Sequence, residues 1–165
     1  MMAAVRNIAL LLLLASQPLF GQQDSLQNQG PSENVAAVQS LLNEAYTHLR
    51  VRYVYGGKSP AGFDCSGYVG YCFGQSLAMN MPNRSTDYRE FGSEISLLEC
   101  RPGDVICFSG RSINRTIGHV GIVIDGHSEN PLFIHASTSQ GVRIDALRSP
   151  YFEPRFIGVR RVIQP

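Results

Sequence analysis

A chain of 165 residues, 44% hydrophobic and 16% charged, can bury one sizeable core without metal or disulfide staples. Its formal net charge of +1 and its scattered arginines provide no basic stripe, which argues against a nucleic-acid binder. With no Cys-x-x-Cys pair and no histidines at ligand spacing, no metal or other cofactor is expected.

The first segment reads as an export signal over residues 1–21, with a retained anchor as the alternative. Arg6 supplies the positive start, residues 8–15 form a Leu-rich apolar run, and Pro18 breaks it ahead of a cleavage site before Gln22. The run is too short for a bilayer, which needs about 20 apolar residues, so no stable membrane insertion is expected. Residues 22–32 are mostly polar and read as a flexible mature N-terminus. The remainder, 33–165, is read as one domain.

Ser32 is placed to cap a helix over 33–49, where Val35, Val38, Leu41, Leu42, Ala45 and Leu49 recur on one face. A Gly- and Pro-rich loop follows over 53–62. Asp64 is the expected N-cap of a helix over 65–73. Residues 82–92 hold a short helix or turn. Strands are predicted over 104–108, 118–125, 131–136 and 156–163 from β-branched and aromatic content, with Asp125-Gly126 turning between the middle two. Helices first and strands after predict an α+β fold, helices packed on an antiparallel sheet.

The chemistry concentrates in Phe63-Asp64-Cys65-Ser66-Gly67. A thiol at a helix start is expected to ionise more easily than the usual value of about 8.5, and free N–H groups there can hold an oxyanion. His119, on an otherwise apolar strand beside Gly118 and Gly121, is the candidate general base. His135, on the neighbouring strand, would orient it. His48 and His127 read as surface residues. Cys72 shares the helical face of Cys65 and reads as buried, while Cys100 and Cys107 are either bridged or buried.

In order, Tyr55-Gly56-Gly57, Asp64-Cys65-Ser66-Gly67, Pro102-Gly103-Asp104, His119-Val120-Gly121-Ile122 and His135-Ala136-Ser137 resemble the NlpC/P60 family of cell-wall cysteine peptidases. The resemblance spans residues 46–162. It implies a papain-like fold and hydrolysis of amide bonds in peptidoglycan stem peptides or their crosslinks. It also implies Cys65 as nucleophile, His119 as base, His135 as orienting residue and the Tyr55 hydroxyl near the oxyanion. By the same resemblance Asp64 and Ser66 would bind a substrate amino group, with plain helix capping as the alternative. Arg84 and Ser85 match the family's Pro-Arg-Ser/Thr segment, which would contact a substrate carboxylate, although Asn83 interrupts the match here. A periplasmic or secreted monomer is expected. Two other readings stand beside it: a thiol amidase or acyltransferase on a lipid or another amide, and a wall-binding protein without catalysis.

Overall fold

The computed structural model describes residues 31–164. The expected export signal and most of the polar N-terminal stretch lie outside the described residues. The two helices come first: α1 (Pro31–Thr47) and α2 (Cys65–Leu77). Ser32, expected as a cap, is one of the residues of α1, and the helix ends two residues short of Leu49. The buried face of α1 is set by Leu41 and Ala45, both fully buried, and by His48 just beyond its end. His48 was expected at the surface. Its ring instead meets Phe63 and Tyr71 edge-on, and its Nε2 lies 2.8 Å from Glu44 Oε1, so the polar edge is satisfied and the flat faces can be buried. The Tyr68 hydroxyl of α2 donates to the Ala45 carbonyl at 2.9 Å and ties the helices together.

Between the helices, β1 (Lys58–Ser59) and β2 (Gly62–Phe63) form a small hairpin where the sequence predicts only a loop. The main sheet holds β3 (Ser93–Ile95), β4 (Val105–Ser109), β5 (Ile117–Asp125), β6 (Leu132–Ser137), β7 (Gly141–Ala146) and β8 (Phe156–Arg161). Its order is β3-β8-β4-β5-β6-β7, antiparallel at every pairing. The four predicted strands are present with ends shifted by a residue or two. Strands β3 and β7 were not predicted.

Period-two alternation splits the sheet into two faces. Val105, Val120, Ile122 and Ile134 pack with Leu41, Tyr68, Val69 and Phe73 under the helices. On the other face Ile106, Phe108, Val123, Phe133, Val159 and Phe152 form a second cluster. Register decides where the chemistry stands: His135 pairs with Arg143, Phe133 with Asp145, and Phe108 with His119. These side chains therefore share the second face.

Pro102-Gly103-Asp104 has a structural use. Gly103 takes a positive φ of 91°, and Asp104, 2% exposed, receives Arg161 through Nε at 3.0 Å and Nη2 at 2.8 Å. A second donor to Asp104 is the Arg101 N–H at 2.9 Å. The motif thus locks the last strand to the start of β4 through a two-pronged, mostly buried ion pair.

Candidate active site

Asp64 caps α2 as expected: its backbone is extended and its Oδ1 accepts the Gly67 N–H at 2.6 Å. The Asp64 Oδ2 accepts the Gly56 N–H at 2.9 Å, which draws the glycine loop onto the helix start. The first turn of α2 sits so close to that loop that a Cβ on Gly67 would lie 2.0 Å from the Gly57 carbonyl oxygen. The helix entry and the Gly-Gly pair are therefore one packed unit, and it presents Cys65.

Cys65 lines a cavity of about 670 Å³ together with His119, His135 and Tyr53. The cavity lies where β4 ends and β5 begins, beside a register shift between Phe108 and Ser109. The thiol arrives on the helix and the imidazoles from the sheet's second face. A second cavity, about 720 Å³ and lined by Arg89, Arg115 and Arg160 with Glu90 and Glu94, holds none of these groups.

His119 Nε2 lies 2.8 Å from His135 Nδ1, with the rings edge-on at 4.8 Å between centroids. His135 is 2% exposed, and its Nε2 lies 2.8 Å from Asp145 Oδ2. Arg143 Nη2 donates to Asp145 Oδ1 at 2.5 Å. Asp145 and Arg143 were not foreseen, yet the signal existed: Val142-Arg143-Ile144-Asp145 alternates as a half-buried strand should. Gly121 lets another element approach the His119 strand closely. That element is β6, since a Cβ there would meet the Phe133 ring at 2.9 Å and His135 Cβ at 3.1 Å.

Burial dominates the electrostatics. It pushes His119 down to about 3, with His135 adding to the effect. His135 is also lowered by burial, against the pull of Asp145. The Cys65 thiol is raised, chiefly by burial, with Asp64 adding to the rise. Backbone hydrogen bonding from Val120, beside His119, and from the start of α2 acts in the opposite direction without winning. The expectation of an easily ionised thiol is thus corrected: the helix start contributes as expected, but desolvation outweighs it. All three shifts favour the neutral form of the groups lining the cavity.

Tyr55 is the other correction. It is 91% exposed on the turn beside Gly56 and lines no part of the cavity. Tyr53, two residues earlier, occupies that wall, because Arg50 and Val51 pair with Val142 of β7 and carry the chain across the mouth. Burial first, and then Cys65, raise the Tyr53 hydroxyl, so it remains an O–H donor at neutral pH. Replacing Tyr53 by Phe is expected to lower kcat by about 10²–10³-fold, as loss of an oxyanion donor does. Tyr55→Phe should leave it unchanged. Steady-state rates on one amide substrate check both, and equal rates for all three proteins would refute the assignment.

Asp64, Ser66, Arg84 and Ser85 do not line the cavity. Ser66 Oγ donates within reach of Asp64 Oδ1 at 3.1 Å and the Asn83 carbonyl at 3.0 Å, a loop anchor. Arg84 is exposed and pairs with Asp87, while Ser85 opens a short 3₁₀ helix. All four cysteines are free and buried, so Cys100 and Cys107 are not bridged. Among the described residues no cluster of metal-ligating side chains is found.

Comparison with known proteins bears on the family and the fold. The NlpC/P60 family profile matches residues 50–161. The murein DD-endopeptidase MepS/murein LD-carboxypeptidase of Escherichia coli K12 is 34% identical over 145 residues, 88% of this chain and 72% of that protein. The gamma-DL-glutamyl hydrolase of Bacillus subtilis is 35% identical over 122 residues, 73% of this chain and 28% of that protein. Among solved structures, a lipoprotein-like NLP/P60 protein of Staphylococcus aureus is 33% identical with a TM-score of 0.66, covering 78% of this chain and 42% of that one. The NlpC/p60 domain of peptidoglycan hydrolase SagA has a TM-score of 0.63 at 26% identity, covering 76% and 98% respectively. The family match over residues 50–161, a relative 34% identical across 88% of this chain, and the shared helix-on-sheet frame place the protein in the NlpC/P60 family of cysteine peptidases.

Proposed function

We propose that this protein is an exported peptidoglycan endopeptidase that cuts stem-peptide amides by a Cys65–His119–His135 mechanism. The observation that carries the reading is the single cavity lined by Cys65, Tyr53 and both histidines. His119 takes the thiol proton as the sulfur attacks the carbonyl carbon. The oxyanion is met by the Tyr53 hydroxyl and the free N–H groups at the start of α2. His119 then protonates the leaving amine, and water hydrolyses the thioester by the reverse sequence. Further along the wall, Ser137, Thr138, Ser139 and Arg111 offer hydroxyls and a cation suited to a peptide bearing carboxylates.

Of the two candidate bonds, the crosslink between D-alanine and a diamino acid is favoured over the D-glutamyl bond. The relative named as a DD-endopeptidase matches 88% of this chain, the glutamyl hydrolase 73%. The export reading rests on residues 1–21; with it we propose an enzyme that acts in the periplasm or outside the cell, as a monomer.

Mass analysis of purified crosslinked muropeptides after incubation with the protein tests the reading. Dimers are expected to resolve into monomers at the D-alanyl crosslink. Intact dimers and monomers, alongside turnover of a lipid or small amide, would transfer the site to the acyltransferase alternative. Binding to sacculi with no turnover of any amide would leave a wall-binding protein.

A further inference from the structure

Hydrogen-bond donors along the His119–His135–Asp145 row can be assigned by elimination. A neutral imidazole carries one N–H and one bare nitrogen, whereas a carboxylate only accepts. Asp145 Oδ2 lies 2.8 Å from His135 Nε2, so that nitrogen must hold the hydrogen. His135 Nδ1 is then bare and must accept. Its partner at 2.8 Å is His119 Nε2, which therefore donates. His119 is left with a bare Nδ1, the only nitrogen free to take a proton from the thiol.

We propose that Asp145 is a positioning residue that sets the tautomer of both histidines and so selects His119 Nδ1 as the base. The row can run in two directions without it. In the reverse sense His135 Nδ1–H donates to His119 Nε2, His119 Nδ1 keeps its own hydrogen, and the thiol has no acceptor. The carboxylate removes that state, because it cannot donate to His135 Nε2. It is itself held in place. Arg143 grips the other oxygen, Oδ1, at 2.5 Å and is steadied by Gln140 Oε1.

Strand register makes the device possible: Arg143 stands directly opposite His135, with Asp145 opposite Phe133 and diagonal to His135. Burial keeps His135 neutral, and Arg143 helps against the pull of Asp145. Two neutral rings are the condition under which one carboxylate can dictate both. When His119 accepts the thiol proton at Nδ1, its Nε2–H still donates to His135, so no other proton in the row has to move.

Resting on the Cys65–His119 reading, the choice of nitrogen is the same for any amide the cavity accepts. Its test is correspondingly independent of substrate. Two-bond ¹H–¹⁵N correlation on the full chain with ¹⁵N-histidine reports each ring's tautomer at neutral pH. The Nε2–H form is expected for both His119 and His135, and a hydrogen on Nδ1 of either ring overturns the proposal. In Asp145→Ala the two rings should become a mixture of tautomers, and kcat should fall by about 10–100-fold. That is part of the roughly 10²–10⁴-fold a well-placed base supplies. KM should stay within about twofold, and Asp145→Glu should restore a pure Nε2–H signal. A variant that loses thermal stability while keeping tautomers and kcat would show Asp145 to be structural only. Should Asp145→Ala not fold, the wild-type spectrum decides alone.

Discussion

Replacing Cys65 by Ala is expected to abolish amide hydrolysis, lowering kcat by at least about 10⁴-fold, because no other group in the cavity can form the thioester. The fold should survive. Cys65 is 8% exposed, the change removes one sulfur, and the first turn of α2 is held by Asp64 and Gly67 rather than by the thiol. Muropeptide turnover and a thermal melt on the same preparation check this together. Retained turnover in a folded Cys65→Ala protein would remove the thiol from the mechanism. None of the other three cysteines is a substitute: burial raises Cys100 and pushes Cys72 and Cys107 up to about 12, and none of them lines the cavity.

His119→Ala should lower kcat by about 10²–10⁴-fold, and the pH behaviour of the wild type should show why. A thiol raised above 9.0 is mostly protonated at neutral pH. Alkylation of Cys65 by iodoacetamide should therefore keep accelerating as pH rises beyond 9.0. A plateau at neutral pH would mean a preformed thiolate and overturn the reading. His119, lowered to about 3 from 6.5, must be unprotonated to act. Activity should hold as pH falls below 6.5 and disappear only on approach to the folded-state value. Stability moves in the same window. The unfolded ring binds its proton near 6.5 and the folded ring only near 3, so the unfolded state gains protons in between. The contribution to stability is complete above 6.5 and is lost as pH falls towards 3, which urea midpoints across that range would register.

What could be read locally came out nearly as expected. The amphipathic run of α1, the Asp64 cap, the thiol at the start of α2 and the two histidine strands depend on neighbours within a turn or a hairpin. Tyrosine was harder. Tyr53 and Tyr55 both precede the Cys65 motif within the same loop, and nothing local says which faces inward. That follows from Arg50 and Val51 pairing with Val142, a contact across some ninety residues of chain. His48 misled for a related reason: a histidine on a helix end looks solvated until Phe63 and Tyr71 close over it.

Residue order by itself determined the family and singled out the thiol and the two histidines on which the proposed mechanism rests, because each lies in a short motif legible without its distant neighbours. Tertiary structure alone decided three things. The thiol rests protonated, since desolvation accumulates from all sides of a fold and outweighs the one helix start that a motif can reveal. Tyr53, not Tyr55, stands at the cavity. And the histidine row ends on Asp145, because register across β6 and β7 sets which side chains meet, and a slip of one residue would have turned that carboxylate to the other face.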